Sequence, residues 1–320
     1  MFRILVEGPM HDSGMAMLRA RQDVELDFRD KLTPDAMAEG LAEADALILR
    51  LTPLSASAID QALNLKTVAR MGVGYDHIDV AALTRRGIPL TIVVGALAVS
   101  VAEHALMLML GVSRRIAVMD RNTRTGNYGE RYKTFGHELL DKTVLIVGLG
   151  GIGAETAKRC AAFGMHVIAC GREASRKAAQ AAGYEFVADF RDALPRADFV
   201  SLHLPATADG SPLLGAAEFA AMKPGASVIN TARGSLIDEA ALHHALTEGT
   251  LLGAGLDVTR DEPPQAGCPL LALDNVLFTP HNSALNVETI QRVSELCVTN
   301  VLAALDGNID PAFVVNRSVL

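Results

Sequence analysis

Apolar and polar positions alternate along the chain in short blocks that read in turn as strand and helix. Phe2–Val6 is a β-type apolar run, Asp12–Arg21 and Pro34–Glu43 carry helical spacing, and Ala46–Arg50 and Thr67–Met71 read as strands again. Repeated alternation predicts βαβ units and a parallel sheet. Gly87–Ala102 runs 16 residues without a charge, is broken by Pro89 and Gly95, and is followed by Glu103 and His104. A membrane span wants about 20 apolar residues, so this run predicts a buried strand, a turn and a buried helix over Ser100–Arg114. Asn122–Leu140 is polar, with three glycines and no sustained period, and predicts an irregular connection. A second α/β series opens at Thr143–Val147 and continues to about Pro280. Val287–Leu305 has the spacing of a long amphipathic helix, and a short extended tail follows. There is no repeat or low-complexity tract. For 320 residues, a count of about two domains is expected.

The turn after Thr143–Val147 reads Gly148-Leu-Gly150-Gly151-Ile152-Gly153 and leads into a helical stretch, Ile152–Phe163. G-x-G-x-x-G between a strand and a helix is a dinucleotide-binding fingerprint. Gly148 permits the tight turn, Gly150 lets backbone approach a pyrophosphate, and Gly153 allows close helix–strand packing. The helix N-terminus faces the phosphate charge with free N–H groups. The next strand is His166–Ala169, and an acidic residue for the ribose hydroxyls is expected 21 residues after Gly150, where Gly171 stands, followed by Arg172. Without a carboxylate to repel it, a 2′-phosphate can pair with a guanidinium. This favours NADP; Glu173 close by keeps NAD open, and Arg172 and Arg176 also fit a solvated helix start.

Composition removes other classes. Lys and Arg number 29 against 37 Asp and Glu, a net charge of −8, which argues against general affinity for nucleic acid or anionic membranes. Without Trp and with only 4% aromatics, a base-stacking platform is not expected. Cys160, Cys170, Cys268 and Cys297 match no CxxC or zinc spacing; reduced thiols, an intracellular chain and no metal are expected. The N-terminus reads as a strand rather than a signal peptide.

Three later segments bring chemistry to strand ends, where ligands gather in open α/β sheets. Asn230-Thr231-Ala232-Arg233-Gly234 follows the apolar Ala226–Ile229; an Arg there can grip a carboxylate with two parallel hydrogen bonds. Asp257 precedes Asp261-Glu262-Pro263, and Thr279-Pro280-His281 closes another strand. Histidine titrates near neutral pH and suits proton delivery to a carbonyl; a carboxylate such as Glu262 would orient the ring and favour its protonated form. Taken singly, each residue also fits a surface or loop position. A Tyr-x-x-x-Lys pair, required of short-chain reductases, is absent: none of Tyr75, Tyr128, Tyr132 and Tyr184 has Lys four residues on.

In combination, the run from Leu65 through Gly72-Val73-Gly74 to Asp79, Ser100-Val-Ala-Glu103-His104, the glycine turn, Leu202-His203-Leu-Pro205, Asn230–Gly234, Asp257-Val, Glu262-Pro263 and Thr279–His281 resembles the D-isomer-specific 2-hydroxyacid dehydrogenases, over nearly the whole chain. Members include phosphoglycerate dehydrogenases, glyoxylate/hydroxypyruvate reductases and D-lactate dehydrogenases. The resemblance implies an α/β fold of two Rossmann-like, doubly wound parallel-sheet domains with a cleft between them. Residues 1–98 plus 286–320 would form the substrate domain and 99–285 an inserted dinucleotide domain, the usual homodimer contact. It implies that Arg233 holds the substrate carboxylate, that His281 is the general acid/base, and that Glu262 hydrogen-bonds His281 and raises its pKa. Asp257 would contact the nicotinamide carboxamide. His203, Pro205, Thr207, Thr231, Ala232, Gly171 and Arg172 would line the cofactor with Gly148, Gly150, Gly151, Ile152, Gly153 and His281. Val73 and Gly74 amides, with Arg50, would bind the substrate.

Departures from the family pattern sit at Val94 and Leu97, where a Pro and an Asn are frequent, and at Leu51, usually Ser. They bear on substrate preference. Glu262 stands where formate dehydrogenases commonly have Gln, and no regulatory domain follows Leu320, so a serine-inhibited phosphoglycerate dehydrogenase is not expected. The expected activity is hydride transfer between NAD(P)H and a small 2-oxo acid, glyoxylate or hydroxypyruvate first. A 3-phospho- or sulfonate-bearing 2-hydroxy acid is the alternative, motivated by Arg50, and a dinucleotide-sensing corepressor the alternative of another class. A cytoplasmic homodimer without nucleic-acid or membrane partners is expected.

Overall fold

The computed structural model describes residues 1–320, which divide into two compact units: Met1–Leu97 with Leu285–Leu320, and Ala98–Ala284. In the first unit β1 (Phe2–Glu7), α1 (Asp12–Arg19), β2 (Val24–Arg29), α2 (Pro34–Leu41), β3 (Ala46–Leu49), α3 (Ala56–Gln61), β4 (Thr67–Arg70), α4 (Val80–Arg85) and β5 (Leu90–Ile92) alternate. The strands form one parallel sheet in the order β2-β1-β3-β4-β5. Helix starts are set by short polar side chains that satisfy a free backbone N–H. Thr33 caps α2 ahead of Pro34, Ser55 caps α3, and Asp79 accepts from the Ala82 amide at 2.8 Å to cap α4.

The second unit begins with α5 (Ala98–Ser113) and α6 (Ile116–Arg124). Then come β6 (Thr143–Val147), α7 (Gly151–Ala162), β7 (His166–Cys170), α8 (Glu173–Ala181), β8 (Glu185–Val187), β9 (Phe199–Leu202), α9 (Ala216–Ala221), β10 (Ala226–Asn230), α10 (Glu239–Thr247), β11 (Leu251–Leu256) and β12 (Val276–Phe278). All seven strands are parallel, in the order β12-β11-β10-β9-β6-β7-β8. The chain reverses its direction of sheet growth between β6 and β9, the switch point at which such sheets open a crevice for ligands. Both faces of the sheet are covered. Along β6, Val144 and Ile146 join a core with α5 and α7, while Leu145 and Val147 join the core of the opposite face. Burial on both faces is why this strand is a continuous apolar run rather than an alternating one.

The chain then returns to the first unit through α11 (Val287–Leu305), capped by Asn286, whose side chain accepts from the Thr289 amide at 2.9 Å. The tail is not simply extended. It makes two 3₁₀ turns, Pro311–Phe313 and Arg317–Val319, and is tied to β5 by Asn316, whose Oδ1 accepts from the Leu90 amide at 2.9 Å.

The uncharged run Gly87–Ala102 resolves into β5, a turn and the start of α5, and contains the boundary between units. No helix is long and apolar enough to cross a membrane. The connection expected to be irregular starts on α6 and contains a 3₁₀ turn over Tyr128–Tyr132. α6 buries no residue, so its sequence lacks the wide apolar stripe by which a packed helix is recognised. The four cysteines are unpaired, and burial pushes the Cys160 and Cys297 thiols up to about 12.

Candidate active site

The glycine turn lies where β6 ends and α7 begins. Gly148 has φ +103°, and a Cβ there would meet the His203 carbonyl oxygen at 2.5 Å; a Cβ on Gly153 would meet the Gly148 carbonyl oxygen at 2.0 Å. Both contacts are with backbone, which has nowhere to move. Gly150 differs: a Cβ there would meet nothing within 4 Å. The protein's own packing therefore leaves open space at Gly150, beside the N-terminus of α7, which has no side-chain cap. Gly151 and Ile152 begin that helix.

Unmatched polar atoms gather along the same edge of the sheet. Thr231 Oγ1 after β10, His203 Nδ1 after β9 and Asn282 Oδ1 after β12 are buried with no hydrogen-bond partner. Buried polar atoms are costly when unpaired; a ligand rich in hydroxyl and amide groups would satisfy them. Burial lowers His203 to about 4, and its Nε2 lies 2.9 Å from Ser201 Oγ. Pro205 is exposed, and Thr207 Oγ1 donates to the Ser211 carbonyl at 2.5 Å. A dinucleotide fits this open cradle.

Past β7, Gly171 and Arg172 precede α8, with Arg172 as its N-cap. Arg172 is exposed; its carbonyl accepts from the Ser175 amide at 2.8 Å, and its guanidinium makes no hydrogen bond or ion pair. Arg176 is engaged, 2.7 Å from Glu173 and stacked 4.5 Å above the Phe186 ring.

Arg233 follows β10 in a turn stitched by Asn230, whose Nδ2 donates to the Arg233 carbonyl at 2.8 Å and whose Oδ1 accepts from the Ala232 amide at 3.0 Å. A Cβ on Gly234 would fall 2.0 Å from the Thr259 carbonyl group. Only glycine lets the Arg233 turn lie this close to the loop that carries Glu262. His281 Nδ1 is 2.6 Å from Glu262 Oε2, and Glu262 Oε1 accepts from the Thr259 amide at 3.4 Å. An ionised carboxylate only accepts, so Nδ1 carries the hydrogen and Nε2 is left to exchange a proton.

His281 holds a left-handed backbone, φ +49°. Its amide donates to the Asp257 carbonyl at 2.8 Å. The Asp257 carboxylate is buried and accepts from Thr279 Oγ1 at 2.6 Å, the Asn282 amide at 3.0 Å and the Ser283 amide at 3.1 Å. Burial works against its charge, but hydrogen bonds from His104, Thr279, Ser283 and Asn282 outweigh it and hold the carboxyl well below the usual range. Thr279 and His104 stand within the sequence motifs but no role follows from the motifs themselves; the signal for them is the i, i+4 pair Ser100 and His104, which shares one face of α5.

In the first unit, Arg50 follows β3. Its amide donates to Glu7 Oε2 at 2.6 Å and its guanidinium to the Pro9 carbonyl at 3.2 Å, while Leu51 beside it is exposed. Val73 and Gly74 follow β4, and Arg70 Nε donates to the Gly74 carbonyl at 2.8 Å. The Val73 and Gly74 amides donate to nothing within the chain.

A family model described as D-isomer specific 2-hydroxyacid dehydrogenase, NAD binding domain, matches residues 106–283. The chain belongs to this dehydrogenase family. A D-3-phosphoglycerate dehydrogenase of Methanocaldococcus jannaschii is 37% identical over 97% of this chain and 58% of its own length. The chain thus spans little more than half of that relative. A glyoxylate reductase of Thermofilum pendens is 36% identical over 99% of this chain and 95% of its own. Among solved structures, a glyoxylate reductase from Paecilomyes thermophila superimposes with TM-score 0.89 at 29% identity, covering 99% of each chain. The two-sheet α/β fold expected from the sequence is therefore the fold of the dehydrogenase family.

Proposed function

We propose that the protein reversibly reduces a small 2-oxo acid to a D-2-hydroxy acid with a nicotinamide dinucleotide, and that glyoxylate or hydroxypyruvate is the preferred oxo acid. The observation that carries this reading is the 2.6 Å contact between His281 Nδ1 and Glu262 Oε2, with the turn that holds Arg233 brought close to the Glu262 loop where Gly234 meets Thr259. The dinucleotide, when bound, supplies the hydride to the carbonyl carbon. Arg233 holds the carboxylate with paired donors and so orients the carbonyl. His281 gives its Nε2 proton to the carbonyl oxygen as the hydroxy acid forms, and takes it back in the reverse direction. Glu262 keeps Nδ1 protonated and the ring aimed. The stereochemistry follows from membership of the family.

The second unit is assigned the dinucleotide, on the open space at Gly150 and the unmatched His203, Thr231 and Asn282 atoms. Gly148, Gly151, Ile152, Gly153, Gly171, Pro205, Thr207 and Ala232 complete the proposed lining, and Asp257 is proposed near the nicotinamide. Arg172, exposed and unengaged, favours NADP over NAD. The first unit is assigned substrate recognition, since the Val73 and Gly74 amides and Arg50 are donors to an anion.

A second reading, a phospho- or sulfonate-bearing substrate, is favoured by Arg50, whose guanidinium makes a single hydrogen bond within the chain, to the Pro9 carbonyl. A homodimer formed through the second unit is also proposed: α6 has no buried residue, and Ile116, Tyr128, Tyr132 and Phe135 stand exposed near it. The occupant of that surface is a second copy of this chain, and light scattering on the purified protein tests it. The proposed location is the cytoplasm, because the reaction draws on a dinucleotide pool.

Steady-state kinetics with glyoxylate, hydroxypyruvate, pyruvate and a 3-phosphorylated oxo acid, each with NADH and NADPH, test the reading. Turnover of a short oxo acid is expected. Tight dinucleotide binding without turnover of any oxo acid would replace it with a dinucleotide-sensing binding protein.

A further inference from the structure

The loop Thr279–Ser283 carries His281 and is gripped at both ends by one helix. Ser100 Oγ donates to the Ser283 carbonyl at 2.5 Å, and His104 Nε2 lies 2.8 Å from Thr279 Oγ1. Both side chains belong to α5, four residues apart, and so share a face. His281 sits between the two grips, in a left-handed conformation that a residue with a side chain rarely adopts. Such a backbone persists only where its surroundings over-determine it.

The hydrogen-bond chain has one possible direction. The ionised Asp257 carboxylate can only accept, so Thr279, 2.6 Å from Oδ1, spends its single hydrogen there. The Thr279 oxygen must then accept from His104, whose Nε2 therefore carries a hydrogen. The same Nε2 lies 3.4 Å from Asp257 Oδ1. Oδ1 also accepts from the Asn282 amide at 3.0 Å and Oδ2 from the Ser283 amide at 3.1 Å, the two residues that follow His281.

We propose that His104 is a positioning residue for the reaction: its Nε2–H, acting through the Thr279 hydroxyl, holds the Asp257 carboxylate on the Asn282 and Ser283 amides and so fixes the backbone that aims His281. The requirement is for an N–H donor at this point, not for a titrating group. Glutamine, whose amide nitrogen can take the place of Nε2, meets it; phenylalanine, of similar bulk, does not. The inference rests on the reading of His281 as the proton donor.

The test is steady-state kinetics of the full chain with the oxo acid it turns over. The variants are His104→Phe, His104→Gln, Thr279→Val, Thr279→Ser and the pair His104→Phe with Thr279→Val, with His281→Ala as reference. A misplacement of about 1 Å can cost about 10²-fold in rate. His104→Phe is therefore expected to lower kcat about tenfold or more with little change in the KM of the oxo acid. His104→Gln and Thr279→Ser are expected to recover most of the loss. The double variant is expected to fall no lower than the worse single one, because both remove the same chain of bonds. The proposal is overturned if His104→Phe turns over like the wild type, if glutamine is as poor as phenylalanine, or if the two losses multiply. Should His104→Phe fail to fold, the Thr279 pair decides: equal losses in the Val and Ser variants overturn it. Failure of the underlying reading looks different, since His281→Ala would then keep its turnover, and this inference would fall with it.

Discussion

His281 meets Glu262 across 2.6 Å, Nδ1 to Oε2, although they stand 19 positions apart in sequence. Both side chains are about two-fifths exposed, so the pair can be reached by a small acid. Glu262→Gln keeps an acceptor for the Nδ1 hydrogen but removes the charge that the protonated ring faces. It is expected to lower kcat by about tenfold, while His281→Ala removes the proposed proton donor and is expected to cost about 10²–10⁴-fold. Turnover of both variants on the preferred oxo acid measures the difference.

The glycines of the turn separate into positions packed against backbone and one, Gly150, that faces open space. Gly153→Ala drives a Cβ to 2.0 Å from the Gly148 carbonyl oxygen. It is expected to cost stability by about 1–3 kcal/mol, as overpacking does, and to weaken dinucleotide binding. Gly150→Ala meets nothing in the protein. It is expected to leave the Tm unchanged and weaken only the dinucleotide, as read by calorimetric titration. A loss of Tm in the second variant would contradict the assignment.

The proposed preference for NADP rests on Arg172. The second arginine of the segment, Arg176, is held by Glu173 and by the Phe186 ring, so the proposed partner of a 2′-phosphate is Arg172. A charge-assisted hydrogen bond is worth about 1.5–3 kcal/mol, so Arg172→Ala should reduce the NADPH-to-NADH ratio of kcat/KM by about tenfold or more. An unchanged ratio would remove the argument for NADP.

Stability should fall on mild acidification, because His203 resists protonation. Burial holds it at about 4, against an ordinary value of 6.5. The unfolded chain therefore takes up a proton near pH 6.5 that the folded chain refuses until about pH 4. Stability is lost as pH falls through that window, by at most about 3 kcal/mol. His77, lowered chiefly by burial and also by Arg70, acts in the same direction. Asp257 acts elsewhere: its lowered value gives a contribution that is whole above its ordinary 3.8 and lost only below it. Urea unfolding midpoints at pH 7 and pH 5 should differ less for His203→Gln than for the wild type.

The glycine turn was legible because its evidence is local. An apolar strand, three spaced glycines and a helix lie within 20 residues, and the backbone geometry they need depends on near neighbours alone. Arg233, Glu262 and His281 were legible as members of ordered motifs, though nothing in their spacing says that Glu262 reaches His281. The β2 strand passed unseen because Val24–Arg29 is only partly buried and includes charged residues; pairing with β1 makes it a strand.

The residue pattern by itself determined that strands and helices alternate, that the sheets are parallel, and where phosphate-facing backbone can form, since period and turn chemistry act over a few residues. Tertiary structure alone decided which charges are used up and which remain. It put Arg176 on Glu173 and Phe186, left Arg172 exposed, and brought His104 to Thr279 across 175 positions. Hydrogen bonds and burial depend on distance in space, and a single chain order does not contain those distances.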